Sequence, residues 1–319
     1  MKKIAVLTSG GDCPGMNAAI RAVVRAGLAS GLEVYGIANG YKGMYENDIR
    51  SMQHKDVSDI LCRGGTILGS ARLPEFKEEK VIQQAIANLQ SWGIEAVVTI
   101  GGDGTFLGAL DLSQRGIACI GIPGTIDNDV VTTEFCIGFD TALNTIIQAI
   151  DKLRDTSASH QRCSIVEVMG NLCGDLALYA AISSGAEIVI SKETGFDEIE
   201  VLDRLNFLKA SKEKNHAIVI VAEKMMDVER FAEKVSFATP FSGKATILGH
   251  VQRGGSPTAF DRVLATRMGD YAVALLLQGQ AGMCVGLINN QLVATKIADM
   301  VSTPKYSRKS LYDLHGRLV

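Results

Sequence analysis

Two short glycine-rich loops carry the acidic residues of this chain that are best placed for chemistry. The first loop, Gly101–Thr105 (GGDGT), directly follows the apolar run Ala96–Ile100. Backbone amides of glycine can approach phosphate oxygens closely, and the carboxylate of Asp103 can hold the magnesium ion that accompanies them. No GK[ST] sequence follows, so the loop is not a Walker motif. The pattern predicts a nucleotide-phosphate site.

The second loop, Pro123–Asp129 (PGTIDND), carries the carboxylates Asp127 and Asp129 on either side of a single asparagine. Beside a magnesium-bound phosphate, one carboxylate can accept a hydroxyl proton as general base while the other supports the metal or its water shell. In isolation, an Asx-rich turn is the simpler interpretation of this loop. Its occurrence in the same chain as GGDGT favours the catalytic interpretation.

A third turn, Ser9–Asn17 (SGGDCPGMN), separates the first predicted strand from the first long helix. Gly10 and Gly11 let the backbone approach a ligand closely, and amides at the start of the following helix can hold phosphate. Alone, this turn is equally compatible with a tight connection that binds no ligand.

Basic residues at the ends of predicted elements complete the candidate set. His250 and Arg253 lie in the loop Gly249–Pro257 (GHVQRGGSP), which is rich in groups that bind phosphate. A guanidinium matches phosphate oxygens with two hydrogen bonds, although a single arginine is more often a solvated surface charge. The other basic candidates are Arg72, Arg162 and Lys244.

Short, continuously apolar runs alternate with helical patterns along the chain, and these elements must position the loops. Such runs are typical of strands buried on both faces of a parallel sheet, so the rhythm predicts an open α/β fold with helices on both faces. Ligands in such folds bind at the carboxyl ends of strands. The predicted strands are Ile4–Thr8, Val34–Ala38, Ala96–Ile100, Ala118–Ile122, Cys163–Val168, Glu187–Ile190, Ala217–Ala222 and Val285–Ile288. The predicted helices are Met16–Ser30, Glu78–Trp92, Thr141–Ser157, Ile199–Lys212 and Ala259–Leu277.

Composition narrows the classes of protein that need consideration. Lys and Arg total 32 against 35 Asp and Glu, a net charge of −3, which argues against a nucleic-acid partner. No apolar stretch approaches the roughly 18 residues of a membrane span, so no membrane partner is expected. The seven cysteines are odd in number and form no CxxC pair, so neither a disulfide framework nor a zinc site is indicated. We expect a cytoplasmic protein.

Taken in order, several long stretches of the chain resemble the bacterial ATP-dependent 6-phosphofructokinases, from Lys3 to about Val293. They are LTSGGDCPGMNAAIR, RGGTILGSAR, IGGDGT, GIPGTIDNDV, IGFDTALNT, LRDTSASHQR, VEVMG and GHVQRGGSPTAFDR. The resemblance implies phosphoryl transfer from Mg-ATP to the 1-hydroxyl of fructose 6-phosphate, giving fructose 1,6-bisphosphate and ADP at the committed step of glycolysis. It also implies a homotetramer whose active and allosteric sites use residues of neighbouring subunits, with ADP or phosphoenolpyruvate as the allosteric effector.

The expected architecture is two similar, mostly parallel-sheet α/β domains with the active site in the cleft between them. Residues 1–138 with 251–305 are predicted to bind ATP, and residues 139–250 with 306–319 are predicted to bind fructose 6-phosphate. No Pro- or Ser-rich linker divides the chain, so we expect the two domains to share an extensive interface.

The resemblance also assigns roles to residues whose motifs match. Asp127 matches the general base and Asp103 the magnesium ligand, while Thr125, Asp129 and Arg72 are predicted to act with them. The residues expected around ATP are Gly11, Arg72, Gly102, Asp103, Gly104 and Thr105. The residues expected around the sugar phosphate are Thr125, Asp127, Met169, Gly170, Asn171, Glu223, His250 and Arg253, with Arg162 and Lys244 supplied by the adjoining chain.

A second set of residues matches positions around the allosteric nucleotide. Arg21 and Arg25 are spaced so that they project from one face of the first predicted helix, where two arginines would ordinarily be solvated charges. The resemblance gives them a binding role instead. The full set is Arg21, Arg25, Asp59, Arg154, Gly185, Glu187, Lys212 and Lys214.

Two positions depart from the family pattern. Asn171 stands where relatives carry arginine, which removes a cation near the reacting phosphates. We expect this to cost about 1–2 kcal/mol of transition-state stabilisation, unless the loop is displaced or a neighbouring residue compensates. Lys244 stands where relatives usually carry arginine, and it keeps the charge while losing the bidentate geometry.

Two other interpretations remain open. Lipid and NAD kinases have a loop similar to GGDGT, so the chain could phosphorylate another acceptor. The long GHVQRGGSP loop and the TIDND pair favour a sugar phosphate, because such kinases need neither. The departures at Asn171 and Lys244 also suit a regulatory homologue of low activity. Within the family, pyrophosphate-using relatives typically carry Asp and Lys at the positions of Gly104 and Gly124, so the donor predicted here is ATP.

Overall fold

The computed structural model describes residues 1–211, 214–300, 303 and 308–319. The chain forms two compact units, each assembled from separate stretches of sequence. The first unit comprises Met1–Ile126, Val130–Thr141 and Arg253–Lys305. The second unit comprises Asp127–Asp129, Ala142–Gln252 and Tyr306–Val319.

Strands and helices alternate through most of the described chain. The strands are β1 Lys3–Thr8, β2 Glu33–Ile37, β3 Ile49–Met52, β4 Ala96–Gly101, β5 Ala118–Pro123, β6 Arg162–Val168, β7 Ile188–Ile190, β8 Ala217–Ala222, β9 Ser242–Ile247, β10 Met283–Ile288 and β11 Gln291–Lys296. The α-helices are α1 Met16–Ala29, α2 Gly40–Glu46, α3 Glu79–Trp92, α4 Asp103–Ser113, α5 Phe139–His160, α6 Asp175–Ser184, α7 Glu198–Ala210, α8 Val228–Ala238, α9 Ala259–Leu277, α10 Ile297–Met300 and α11 Lys309–Leu318. Short 3₁₀ turns lie at His54–Val57, Pro74–Lys77 and Gly249–Arg253.

The first unit is built on a seven-stranded sheet in the order β11-β10-β5-β4-β1-β2-β3. Its central strands pair in parallel, and the edge strands β11 and β3 run antiparallel to their neighbours. Thr8 pairs with Ile100 and Gly101 pairs with Pro123, so the loops after β1, β4 and β5 leave the same edge of the sheet. All six residues of β4 are buried, as its continuous apolar run predicts.

The second unit contains an all-parallel sheet in the order β7-β8-β6-β9. Val168 pairs with Ala222, so the loops that follow β6 and β8 begin side by side. Arg162 pairs with Ser242 at the opposite end of the same strands. The register therefore separates two groups of residues, one at each end of the sheet.

The predicted open α/β architecture is confirmed, and each of the eight predicted strands corresponds to an observed strand within two residues at either end. The strands that the apolar pattern missed are β3, β9 and β11, which lie at sheet edges. Strand β9 (SGKATI) is partly exposed and polar, so it lacks the signal of a buried strand. Helix α4 was missed because it begins inside the glycine-rich GGDGT motif. Within the described residues, every helix is too short or too polar to cross a membrane.

Asp261, in the first turn of α9, fixes the start of α5 within the first unit. Its fully buried carboxylate accepts hydrogen bonds from the backbone N–H of Gly138 at 2.9 Å and of Thr141 at 2.8 Å, and from the Thr141 hydroxyl. Burial raises the pKa of Asp261 from 3.8 to about 6. The start of α5 is therefore bonded to a buried carboxylate whose proton affinity is unusual.

This elevated pKa predicts a pH-dependent contribution to stability. Between about pH 4 and pH 6 the folded protein binds more protons at Asp261 than the unfolded chain does. The stabilisation is therefore complete below about pH 4 and is lost as the pH rises through about 6. The variant Asp261→Asn cannot ionise, so its free energy of unfolding relative to the wild type should rise by about 3 kcal/mol between pH 4 and pH 7. Urea unfolding across this range measures the difference, and a difference independent of pH contradicts the assignment.

Candidate active site

The loops after β1 and β4 are joined by a contact that only glycine permits. The Thr105 hydroxyl donates to the Ser9 carbonyl oxygen at 3.1 Å, and the Ser9 amide donates to the Ile100 carbonyl oxygen at 3.0 Å. A Cβ on Gly101 would lie 2.2 Å from the Thr105 hydroxyl oxygen and 2.4 Å from the Ser9 carbonyl oxygen. Any side chain at this position would separate the two loops.

Helix α4 begins immediately after this contact and presents the predicted phosphate-binding residues. Gly102 precedes the helix and has no side chain to cap its amides, and Asp103 is the exposed first helical residue. A Cβ on Gly104 would meet no atom within 4 Å, so open space lies beside the first turn. An uncapped helix start of this kind suits a phosphate group.

The Asp103 carboxylate fits the way in which magnesium binds in kinases. Among the described residues, no group of three or more His, Cys, Asp or Glu side chains is arranged to hold a metal alone. Magnesium is usually bound by one or two carboxylates together with substrate phosphates and waters, not by an all-protein cage. A single exposed carboxylate beside a glycine-lined phosphate cradle meets that requirement.

The structure also brings together Gly11 and Arg253, which the sequence assigns to ATP and to the sugar phosphate. A Cβ on Gly11 would lie 1.8 Å from Arg253 Nη1, so the guanidinium rests directly on the glycine backbone. The same nitrogen donates to the Asp12 carbonyl oxygen at 3.5 Å. Arg253 Nε is buried and has no hydrogen-bond partner among the described residues. The Arg253 guanidinium therefore places a positive charge beside the loop that follows β1.

Asn17, at the start of α1, positions the loop that leads to Arg72. Its side-chain amide donates to the carbonyl oxygens of Arg63 at 3.0 Å and Gly64 at 3.2 Å, and its oxygen accepts from the Ile67 amide at 2.7 Å. Arg72 itself is exposed in this loop region. The sequence analysis did not identify Asn17, because its three partners lie far along the chain.

In the second unit, four predicted sugar-phosphate residues cluster after β6 and β8. The Met169 amide donates to Gln252 Oε1 at 3.2 Å, and the Asn171 amide donates to Glu223 Oε1 at 2.8 Å. Gly170 has a φ of 141°, and a Cβ there would lie 2.5 Å from the Cys173 carbonyl oxygen. His250 is exposed in the 3₁₀ turn after β9, the neighbouring strand.

Arg162 and Lys244 do not join this cluster. Arg162 is the first residue of β6, whereas Met169 follows its last residue, a separation of roughly 20 Å along a strand. Lys244 pairs with Ser164 in the amino-terminal half of the sheet. One chain therefore presents these cations away from its own cluster, and their action on an adjoining chain remains a prediction.

The segment that contains Asp127 and Asp129 is anchored by the residue between them. Asn128 has a φ of 53°, and its side-chain amide donates to Asp175 Oδ2 at 2.9 Å. Arg308 Nε and Nη2 approach the same oxygen at 3.1 and 3.0 Å. The Asp175 and Asn128 side chains are buried. This network, which the sequence analysis missed, connects the acidic loop to the residue that precedes α11.

The predicted allosteric residues fall into two sets. In the second unit, the carboxylate of Glu187, which is 2% exposed, pairs with Lys214 and accepts from the Ile218 amide at 2.7 Å. Arg154 donates to the Ser184 carbonyl oxygen, directly before Gly185, and contacts His216. Burial lowers the pKa of His216.

The second set of predicted allosteric residues lies in the first unit and comprises Arg21, Arg25 and Asp59. The Arg25 Nε is buried. Lys212 lies outside the described residues.

The sequence and fold of this chain are similar to those of known proteins. Residues 3–276 match the phosphofructokinase family. A protein of Photobacterium profundum named ATP-dependent 6-phosphofructokinase is 56% identical over 319 residues, which cover 100% of this chain and 99% of that protein. The phosphofructokinase of Saccharomyces cerevisiae matches with a TM-score of 0.87 and 35% identity, covering 100% of this chain but only 47% of the yeast chain. The pyrophosphate-dependent phosphofructokinase of Marinobacter aquaeolei, with a TM-score of 0.85 over 97% of this chain and 86% of its own, shares the fold at 19% identity.

The network of Asn128, Asp175 and Arg308 predicts that a substitution of Arg308 lowers the free energy of unfolding. The variant Arg308→Met removes the cation from the buried Asp175 carboxylate, and the free energy of unfolding should fall by about 2–4 kcal/mol. Arg317, exposed near the end of α11, provides the control, because Arg317→Met should change this free energy by less than about 0.5 kcal/mol. Urea unfolding of both variants measures the effect. Equal stabilities would show that Arg308 does not support Asp175.

Proposed function

The chain belongs to the phosphofructokinase family, and we propose that it transfers the γ-phosphoryl group of ATP to the 1-hydroxyl of fructose 6-phosphate. The products are fructose 1,6-bisphosphate and ADP. The observation that carries the proposal is the glycine-lined cradle at Gly101–Gly104, where open space lies beside the uncapped start of α4. Full-length relatives at 56% identity carry the name of this activity.

The first unit supplies binding and charge neutralisation for the donor. Backbone amides at the start of α4 bind phosphate oxygens, and Asp103 holds magnesium, which would neutralise charge on the donor phosphates when bound. Arg72 adds a guanidinium group that binds the donor phosphates, and Arg253 of the same unit binds the sugar phosphate. Catalysis of phosphoryl transfer depends mainly on positioning the reactants and on electrostatic stabilisation of the transition state, and these residues provide both.

The acidic loop supplies the proton acceptor. Asp127 accepts the proton of the sugar 1-hydroxyl as that oxygen attacks the phosphoryl group, and Thr125 and Asp129 act beside it. The anchored Asn128 restricts the backbone on both sides of its own position, which limits the movement of the two carboxylates. Met169, Gly170, Asn171, Glu223 and His250 bind the sugar phosphate, together with Arg162 and Lys244 of an adjoining chain in a homotetramer.

A coupled assay of the purified protein tests this function against its alternatives. With magnesium and fructose 6-phosphate, we expect turnover with ATP and less than about one hundredth of that rate with pyrophosphate. The reason is the open space beside Gly104, which can accommodate the rest of the nucleotide; Gly124, in contrast, is buried, and a Cβ there would lie 3.0 Å from Ile100 Cγ2. Comparable rates with both donors contradict the choice of donor. Turnover only with a lipid or NAD as acceptor identifies another kinase, and binding of fructose 6-phosphate without turnover identifies a regulatory homologue.

Removal of the proposed base should affect chemistry and spare binding. The variant Asp127→Ser should lower kcat by about 10²–10⁴, with the KM for fructose 6-phosphate within about threefold of the wild type, because general-base catalysis contributes on this scale. Steady-state kinetics measures both constants. The exposed Asp151 in the same unit provides the control, since Asp151→Ser should leave both constants unchanged. A loss confined to KM would assign Asp127 to binding instead.

The proposal includes allosteric control by ADP or phosphoenolpyruvate. The partly buried Arg154 and the Glu187–Lys214 pair form a charged cluster beside Gly185, suited to a phosphorylated ligand. We expect at least one effector to shift the fructose 6-phosphate saturation curve of the wild type by threefold or more, and Arg154→Ala to abolish most of that shift. Saturation curves with and without each effector measure it. Curves that neither effector changes, in both proteins, would reject the site.

A further inference from the structure

Gln252 is a fully buried residue at the carboxyl edge of the sheet in the second unit. It lies in the 3₁₀ turn Gly249–Arg253, which follows β9. Its side-chain Oε1 accepts a hydrogen bond from the Met169 amide at 3.2 Å, and its Nε2 donates to the Gly249 carbonyl oxygen at 3.0 Å. One side chain therefore joins the turn after β6 to the turn after β9.

Strand pairing alone does not hold these two turns together. The parallel pairing of β6 with β9 extends to Glu167 and Ile247, and the next amide, of Leu248, donates to the Glu167 carbonyl oxygen at 3.1 Å. Beyond this point, the described residues of the two turns share no backbone–backbone hydrogen bond. The hydrogen bond from Met169 to Gln252 therefore provides the link between them.

The two hydrogen bonds of Gln252 require an uncharged side chain that both accepts and donates. The Met169 N–H needs an acceptor and the Gly249 carbonyl oxygen needs a donor, so a carboxylate or an ammonium group would satisfy only one of them. Loss of the amide would leave the buried Met169 N–H without its partner, and a movement of the turn would relieve that cost. The geometry of the turn after β6 thus depends on Gln252.

The two turns that Gln252 joins carry predicted sugar-phosphate residues. The turn after β6 has a defined shape, because Gly170 has a φ of 141° and a Cβ there would lie 2.5 Å from the Cys173 carbonyl oxygen. In the neighbouring turn, the exposed His250 directly follows Gly249, whose carbonyl oxygen accepts from Gln252. Ligands of open α/β folds bind at this edge of the sheet. Gln252 therefore joins the two sides of one candidate subsite.

We propose that Gln252 is a positioning residue that holds the turn at Met169 and Gly170, together with His250, in the arrangement that binds fructose 6-phosphate. Its two polar atoms are engaged with the backbone, so it acts through these residues and not on the substrate itself. The inference rests on the proposed function and adds a residue to the set assigned to the sugar phosphate. The proposed phosphate cradle lies in the first unit, so loss of Gln252 should affect fructose 6-phosphate and spare ATP.

The variant Gln252→Met tests this role in the full-length protein, because methionine is similar in length and cannot make both hydrogen bonds. The KM for fructose 6-phosphate should rise at least about tenfold, with kcat and the KM for ATP within about threefold of the wild type. The Kd of fructose 6-phosphate, measured by isothermal titration calorimetry without ATP, should rise by a similar factor. Gln252→Glu keeps an acceptor for the Met169 amide and should raise both constants by less than Gln252→Met does. It provides the same comparison if Gln252→Met does not fold.

Ser157→Ala is the matched control for stability. Ser157 is fully buried in the second unit and shares a hydrogen bond of 2.6 Å with Ser164, which pairs with Lys244 in the amino-terminal half of the sheet. This variant also loses a buried hydrogen bond, but its KM and Kd for fructose 6-phosphate should stay within about twofold of the wild type.

The outcomes distinguish this inference from the proposed function. A wild type that neither binds nor phosphorylates fructose 6-phosphate refutes the proposed function and the inference with it. In an active wild type, a folded Gln252→Met protein whose KM and Kd for fructose 6-phosphate stay within about twofold overturns the role of Gln252. An equal rise in the KM for ATP, or an equal rise in Ser157→Ala, also overturns it, because either result indicates a general loss of structure.

Discussion

The candidate site depends first on the absence of one Cβ atom. Strands β1 and β4 pair so closely at their carboxyl ends that a side chain on Gly101 would overlap the Thr105 hydroxyl and the Ser9 carbonyl oxygen. This contact fixes where α4 begins, and therefore where the Asp103 carboxylate and the first helical amides lie. The geometry of this candidate phosphate site is thus a consequence of strand pairing and glycine.

In the second unit, hydrogen bonds position the candidate site residues. Asn171 and Glu223 join the turns after β6 and β8, and Asn128 is held on the buried Asp175. Arg308 then connects that carboxylate to the start of α11. Asn128 and Asn171 both have a positive φ, and their short side chains accept the left-handed backbone and still bond to a neighbour. The acidic loop is positioned by residues far from it in sequence.

Features that depend on local sequence patterns were predictable, whereas features that depend on contacts between distant segments were not. Buried strands and glycine loops are local patterns, so the α/β architecture and the GGDGT and PGTIDND loops were predictable from short windows. The roles of Asn17 and Asp175 were not predictable, because they come from contacts between distant segments that leave no local signature. Strand β9 was not predicted, because a polar edge strand lacks the apolar run of a central strand. The placement of Arg162 and Lys244 at the far end of the sheet required the strand register.

We expect the open space beside the start of α4 to accommodate the nucleotide. Gly104→Asp tests it most directly, because a Cβ there meets no protein atom within 4 Å and a carboxylate suits a helix start. We expect an unchanged melting temperature with at least about a 50-fold loss in kcat/KM for ATP. Gly316→Asp, at a similarly open position in α11, should change neither quantity. A Gly104→Asp protein that uses ATP within twofold of the wild type would show that this space does not hold the nucleotide.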